Sequence, residues 1–300
     1  MKTGLIIFSF LWLCHPAMAQ VAGCTDPLSN NYNPQATVNN GTCTYSSASV
    51  APGSSVNLSD EVEETSGLVK WEERLLTHND NTDLKLYSLD SISGAVLETF
   101  AVTGTSNTDW EEIAQDNQYI YIGDFGNNSN DNRTNLRIIR VGKEELLSGD
   151  IQANSIHFSY SNQTNFALTG GNNTDFDCEA FVVANDSIYL FTKQWVSKKT
   201  SVYAFPKTPG THIAQLRSTY DVSGLITGAT YQEDKKLVVL TGYSTLLQPF
   251  FYLLYDFKGH EFFSGNKRKI SMSSMGFHQV EGIATTNPTN AEMIIDMTEI

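Results

Sequence analysis

A short segment recurs five times along the chain, and it constrains the fold more than any other feature of the sequence. Each copy carries an oxygen-bearing side chain, then in most copies a small residue and a larger apolar one. The copies are Glu64-Thr-Ser66-Gly-Leu68, Asp109-Trp-Glu111-Glu-Ile113, Asp177-Cys-Glu179-Ala-Phe181, Leu225-Ile-Thr227-Gly-Ala229 and Gln279-Val-Glu281-Gly-Ile283. Positions 66, 111, 179, 227 and 281 are 45, 68, 48 and 54 residues apart. Spacing of this kind indicates a repeated structural unit.

Each of the first four segments is followed by short alternating runs that are bounded by Gly, Asn, Asp and Ser. In the second repeat the runs are EEIAQ, YIYIGD, LRIIRV and SIHFSY. This pattern predicts an all-β domain with four antiparallel strands per repeat. Four strands in roughly fifty residues are typical of one propeller blade, so we predict a five-bladed β-propeller over residues 56–300. The last blade is short, and we expect residues 55–58 to add its outer strand.

The N-terminal part of the chain divides into three predicted segments. Residues 1–19 have a Lys, an apolar run and an Ala-Met-Ala ending, which predicts a signal peptide and a secreted or cell-surface protein. No transmembrane segment is expected after its removal. Residues 20–45 are rich in turn formers and are framed by Cys24 and Cys43, which we expect to form a disulfide. Residues 46–55 are a small-residue linker.

The net charge and the hydrophobic content of the chain limit the kinds of partner that it can bind. The chain has 33 acidic and 19 basic residues, a formal net charge of −14, which excludes nucleic acid as a natural partner. A hydrophobic content of 40% excludes a disordered chain. The surplus of carboxylates suits a divalent cation with hard oxygen ligands. We expect a monomer whose partner is an anionic small molecule or an extracellular glycan or protein.

The five repeated positions form the candidate metal site. In a propeller the innermost strands line one axis, so Ser66, Glu111, Glu179, Thr227 and Glu281 would face a common centre. Carboxylates that converge there repel one another unless a cation neutralises them. An oxygen-only set of this kind favours Ca²⁺ over Zn²⁺ or Mg²⁺. We therefore predict a central Ca²⁺ site.

Loops after the second strands supply candidate residues at the rim of the tunnel. They combine acids, amides, cations and aromatic rings, as a pocket for an anionic, ring-bearing ligand would. Asp80 and Asp124 are the candidate general bases. The predicted ligand-binding residues are His78, Asn127, Arg133, Lys193, Trp195 and Tyr243. Tight turns alone also explain many of the Asn, Asp and Gly residues in these loops.

Three resemblances accompany these patterns. The run GCTDP…NYNP…GTC resembles a cysteine-framed repeat of secreted proteins from Gram-negative bacteria. The blocks SGL…THND, DWEEIA…YIGDFGNN, CEAF…LFTKQW and QVEGI resemble a family of exported bacterial propellers, which implies a fold but no activity. The order Ser, Glu, Glu, hydroxyl, Glu is similar to that of the five-bladed calcium-activated apyrases. That likeness implies a central Ca²⁺ and a role for Asp80 in hydrolysis.

The sequence is compatible with two functions. One is a non-catalytic exported propeller that Ca²⁺ stabilises and that binds a partner. The other is a Ca²⁺-dependent hydrolase of phosphoesters or phosphoanhydrides.

Overall fold

A computed structural model describes residues 19–129, 132–149, 151–272, 274–287 and 292–299. Those residues contain twenty β-strands and one short α-helix, α1 (Lys143–Ser148), so the all-β prediction is confirmed. The predicted signal peptide lies outside the described residues except for its last position, Ala19. Within the described ranges no helix has the length and apolar character needed to cross a membrane.

Two groups of strands form separate four-stranded antiparallel sheets, each in chain order. The first group is β3 (Thr65–Trp71), β4 (Arg74–Asn79), β5 (Lys85–Asp90) and β6 (Val96–Ala101). The fourth group is β15 (Leu225–Gln232), β16 (Leu237–Tyr243), β17 (Pro249–Tyr255) and β18 (Asn266–Ser271).

The second and third groups share one eight-stranded sheet, which differs from the predicted set of separate blades. The second group is β7 (Trp110–Gln115), β8 (Tyr119–Asp124), β9 (Arg137–Gly142) and β10 (Asn154–Tyr160). The third group is β11 (Asp177–Ala184), β12 (Ser187–Lys193), β13 (Lys199–Pro206) and β14 (Gly210–Asp221). The outer strands β10 and β14 pair in parallel, from Ile156 with Gly210 to Tyr160 with Ala214. This pairing satisfies two edges that would otherwise be open.

The fifth group has two strands, β19 (His278–Asn287) and β20 (Glu292–Glu299), which pair antiparallel. Residues 55–58 form no strand, contrary to the expectation that they complete this group. Leu58 instead packs among the apolar side chains between the fifth and first groups.

The first strands of the five groups contact one another in a closed cycle. Strand β3 contacts β7 and β19, β11 contacts β7 and β15, and β15 contacts β19. One apolar cluster lies between each pair of neighbouring groups. Between the second and third groups, for example, the Phe125 and Phe181 rings meet edge to face with centroids 5.6 Å apart. A cavity of about 120 Å³ is lined by residues of all five first strands.

The cysteine-framed unit packs against the fourth group. It contains β1 (Ala22–Gly23) and β2 (Val38–Asn39), and the predicted Cys24–Cys43 disulfide is confirmed. Its Asp26 carboxylate accepts hydrogen bonds from the hydroxyls of Tyr45 and Tyr255. The chain beyond it then runs along β18, where the N–H of Ser271 donates to Ala48 and that of Val50 donates to Ser271.

Candidate functional site

Every first strand has an irregularity in its pairing with the second strand at the repeated segment. The pairing skips Glu111 in β7, Glu179 in β11, Thr227 in β15 and Glu281 in β19. In β3 the irregularity follows Ser66 directly. A bulge re-aims the side chain of the unpaired residue. Four of the five predicted metal ligands therefore occupy a bulge at the same place in their strands, whereas Ser66 is paired with His78 beside the irregularity.

The two hydroxyls of this set hydrogen-bond between neighbouring first strands. Ser66 Oγ donates to the backbone oxygen of Glu111, which links β3 to β7. Thr227 Oγ1 donates to the backbone oxygen of Val280, which links β15 to β19. Both hydroxyl groups are buried. Each one thus fixes the bulge of the next strand in the cycle.

The carboxylates of Glu111 and Asp109 approach each other closely around Gly126. A Cβ atom added at Gly126 would lie 2.1 Å from Glu111 Oε1 and 2.3 Å from Asp109 Oδ2, so a side chain here would have to displace both carboxylates. Burial raises the pKa of Glu111 well above its ordinary value, and repulsion from Glu179, Asp109 and Asp177 raises it further. This part of the molecule therefore disfavours the ionised carboxylates in the absence of a cation.

Glu179 has an internal counter-ion. Lys193 Nζ lies 2.5 Å from Glu179 Oε2, and both side chains are almost completely buried. Burial alone would lower the pKa of Lys193, but the neighbouring carboxylates, led by Glu179, hold it above its ordinary value. The ammonium also lies 4.7 Å from the centre of the Trp195 ring and 5.4 Å from that of Tyr243. Lys193 thus contacts both Trp195 and Tyr243, and the role of the three residues in ligand binding stays a prediction.

Apart from Asp124, which is paired with Arg133 and Arg137, seven carboxylates interact electrostatically in this region, and we call them the acidic cluster. They are Glu64, Asp80, Asp109, Glu111, Asp177, Glu179 and Glu281.

The outer part of the acidic cluster is open to solvent at Asp80. Desolvation by the surrounding chain raises the pKa of Asp80 to about 6, with repulsion from Glu64, Glu281 and Asp109 as further causes. Burial raises the pKa of Asp109 to about 6 as well, although the charge of Arg133 opposes the shift. Both groups thus exchange protons near neutral pH.

The predicted metal ligands fit a hard cation in chemistry, because their side chains present only oxygen donors. Their positions do not form a complete coordination shell. Across the described ranges no three His, Cys, Asp or Glu side chains are arranged as the shell of a metal ion. The structure therefore brings Glu111, Glu179 and Glu281 into one electrostatic cluster without closing a coordination shell around its centre.

Asp124 is fully buried, and its geometry disagrees with a role as general base. Its two carboxylate oxygens lie 2.7 Å from Arg133 Nη2 and 2.9 Å from Arg137 Nη2. Arg133 also donates to the backbone oxygen of Gly126. A base needs a free oxygen for the proton that it takes. Asp124 and Arg133 instead hold the loop that carries Gly126.

Two other predicted rim residues are buried supports. Asn127 is 2% exposed, and its backbone N–H donates to Asp177 Oδ1 at 2.7 Å. His78 is fully buried and lies edge-on to the Trp110 ring, with the centroids 5.7 Å apart. Burial lowers the pKa of His78 to about 4, so the ring is neutral at physiological pH. His78 is opposite Ser66 in the ladder.

Tyr243 and Trp195 are oriented by hydrogen bonds. The Tyr243 hydroxyl donates to Gln279 Oε1 at 3.0 Å, and burial raises its pKa to about 12. Trp195 Nε1 donates to Asp177 Oδ2 at 2.7 Å. Burial raises the pKa of Asp177, whereas Lys193 and this indole bond oppose the shift. The aromatic rings therefore line the wall of the acidic cluster.

Sequence reasoning missed Glu112, which is fully buried. Its carboxylate accepts backbone N–H groups from three different first strands: Leu68 in β3, Ile113 in β7 and Ala229 in β15. Burial raises its pKa well above the ordinary value, and these three hydrogen bonds oppose the shift. The sequence does carry a signal, because the equivalent positions in the other copies are small residues.

Comparison with known proteins gives no family. Neither a family model nor a curated protein matches the chain. Three solved structures have distant similarity. The computationally designed Ika4 protein has 10% identity and a TM-score of 0.30, and the match covers 65% of this chain and 94% of that chain. The mitotic checkpoint complex has 12% identity and a TM-score of 0.36, with 77% of this chain and 57% of that chain covered. RS223 beta-xylosidase has 12% identity and a TM-score of 0.38, with 62% of this chain and 63% of that chain covered. Similarity at this level carries no conclusion about fold or activity.

Proposed function

We propose that the chain forms a five-bladed β-propeller in which each strand group is one blade, the last of them two-stranded. The closed cycle of first strands and the five apolar clusters between groups support this arrangement. In this architecture the eight-stranded sheet is two blades whose outer strands pair across the gap between them. The resemblance to exported bacterial propellers agrees with it.

We further propose that the acidic cluster binds Ca²⁺ and that the protein is an exported, non-catalytic binding propeller. The observation that carries the proposal is the excess of negative charge. Each of these seven carboxylates repels at least one other, whereas the cations that act on Asp109, Glu111, Asp177 and Glu179 are Lys193 and, on Asp109, Arg133. A hard dication at this place would relieve their repulsion.

The residues that would hold the ion are Glu111, Glu179 and Glu281, with hydroxyl oxygens from Ser66 and Thr227. A bound Ca²⁺ would supply charge neutralisation and would cross-link the five first strands. Gly126 keeps the space beside Glu111 free of side-chain atoms. Lys193 would keep the remaining charge of Glu179 and Asp177 balanced.

Thermal denaturation in EDTA and in excess Ca²⁺ tests this proposal. Ca²⁺ should raise the melting temperature, because an ion that binds only the native state stabilises it by mass action. The increase should disappear in Glu111→Gln and persist in Glu233→Gln, a matched change at an exposed carboxylate outside the cluster. A melting temperature that Ca²⁺ leaves unchanged in the wild type would refute the metal site.

The second candidate function is Ca²⁺-dependent hydrolysis of a phosphoester or phosphoanhydride. It is favoured by Asp80, whose pKa of about 6 suits a general base near neutral pH and which lies at the solvent-exposed edge of the cluster. Release of phosphate from nucleotides and phosphomonoesters should then be Ca²⁺-dependent and should fall sharply in Asp80→Asn. If the wild type releases no phosphate from any of them, the hydrolase proposal fails while the metal site stands.

Export to an oxidising compartment is part of the proposal. The Cys24–Cys43 disulfide is of the kind that persists outside the cytosol. Its detection in the natural protein, as a mass difference of two hydrogens from the reduced form, would support this placement. A thiol form in freshly isolated protein would contradict it.

A further inference from the structure

A groove of about 490 Å³ lies between the cysteine-framed unit and the outer strands of the fourth group. Its volume is within the range of ordinary ligand pockets. One wall is the chain that follows Cys43, and the other is formed by β17 and β18. The groove is separate from the acidic cluster, with which it shares no residue. The docking of the N-terminal unit therefore creates a second candidate site.

The charge of this groove is opposite to that of the protein. The chain has 33 acidic and 19 basic residues, yet the described residues that line the groove include Lys267 and Lys269 and no Asp or Glu. A positively charged groove is electrostatically complementary to an anionic ligand.

The two lysines differ in what their ammonium groups already contact. Lys267 Nζ donates to three backbone oxygens, those of Gly41, Phe263 and Gly265, so its protons are used to hold the unit in place. Lys269 Nζ donates to one, the oxygen of Val222, at 2.8 Å. Burial lowers the pKa of Lys269, and the charge of Asp221 opposes this shift without forming an ion pair. Lys269 thus has protons to offer an incoming anion.

Aromatic rings complete the groove. Lys269 Nζ lies 3.8 Å from the centre of the Phe250 ring and 5.4 Å from that of Tyr252. Tyr45 and Tyr220 are partly exposed at its surface, and serine and threonine side chains fill much of the remaining wall. Aromatic faces that alternate with hydroxyl groups suit a ligand with an apolar face and many polar substituents. A pyranose ring has this character.

We propose that the groove binds an acidic saccharide, with the carboxylate of a uronate on Lys269 and a sugar ring against the tyrosines. One available ammonium matches the single charge of a uronate. The phosphates of a nucleotide would need more charge, and the lining that the structure describes contains neither an arginine fork nor a glycine-rich loop. The cysteine-framed unit then takes part in ligand binding, because the chain that follows Cys43 forms one wall of the site.

Isothermal titration of the full chain with tetragalacturonate tests the proposal. The wild type should bind the acid, and its fully methyl-esterified form should bind at least about tenfold more weakly, since a charge-assisted hydrogen bond is lost. Lys269→Gln should show a loss of the same size, whereas Lys258→Gln, at an exposed lysine outside the groove, should bind normally. Tyr220→Ala provides a second variant that leaves the charge unchanged and should also weaken binding.

Two results would overturn the proposal. One is the absence of binding by a wild-type protein whose melting curve shows that it is folded. The other is equal binding of the acid and its ester, or binding that Lys269→Gln leaves unchanged. If inorganic phosphate competes with tetragalacturonate at equal concentration, the groove is a general anion site and the saccharide proposal fails.

Discussion

The hydrogen bonds of Glu112 predict that Glu112→Ala lowers the free energy of unfolding more than Glu112→Gln does. Its carboxylate is fully buried and joins three first strands through the N–H groups of Leu68, Ile113 and Ala229. Glu112→Ala removes all three acceptors. Glu112→Gln keeps one side-chain oxygen but replaces the other by an NH₂ group, which cannot accept a hydrogen bond.

The size of the effect follows from the groups left without partners. Each buried N–H without an acceptor costs roughly 1–3 kcal/mol, so three of them give an upper range of about 3–9 kcal/mol. Two effects reduce this cost. Removal of a buried carboxylate returns its desolvation energy, and the adjacent cavity of about 120 Å³ gives water access to Ile113 and Ala229. We therefore expect losses of about 3 kcal/mol for Glu112→Ala and about 1 kcal/mol for Glu112→Gln.

Urea denaturation at pH 7, followed by tryptophan fluorescence, measures both free energies of unfolding. Glu233→Ala serves as the control, because Glu233 is exposed and a surface change of this kind stays within about 0.5 kcal/mol. A loss below about 1 kcal/mol in Glu112→Ala would refute the reasoning. It would mean that the three N–H groups do not depend on this carboxylate.

Three further predictions concern the acidic cluster and its supports. In EDTA the folded protein binds more protons than the unfolded one between about pH 4 and 6, because the pKa values of Asp80 and Asp109 are raised to about 6. The free energy of unfolding should therefore fall as the pH rises through this window. Comparison of urea midpoints should show a smaller fall in Asp80→Asn. Gly126→Ala places a methyl group against Glu111 and Asp109, so it should abolish the Ca²⁺-dependent rise in melting temperature; an unchanged rise would contradict the close approach. Asp124→Asn weakens the pairing of Arg133 and Arg137 and should lower stability by about 3 kcal/mol in calorimetry, whereas a loss below about 1 kcal/mol would show that the clamp is not needed.

The all-β class and the disulfide could be predicted because each depends on local sequence. Alternation marks the strands, and two cysteines that frame a segment rich in turn formers mark the disulfide. The bulges at Glu111, Glu179, Thr227 and Glu281 agree with the pattern of a polar residue followed in most copies by a small one.

Other features depend on contacts that a single segment does not encode. The parallel pairing of β10 with β14 joins residues more than fifty positions apart, and it depends on how neighbouring groups tilt. The burial of His78 depends on its register opposite Ser66, and the ion pairs of Asp124 depend on Arg133 within the loop that it begins and on Arg137 at the start of β9. Glu112 was missed because its partners lie in three strands that meet only in the folded chain.

Titration of the metal-free protein with Ca²⁺ at pH 6, repeated in buffers of different ionisation enthalpy, tests the proposed Ca²⁺ site. The acidic cluster holds protons at this pH because burial and repulsion raise the pKa values of its members. We predict that one Ca²⁺ binds per chain with release of protons, and that Glu111→Gln removes the binding. Absence of binding heat in every buffer, together with a melting temperature that Ca²⁺ does not change, would contradict the account.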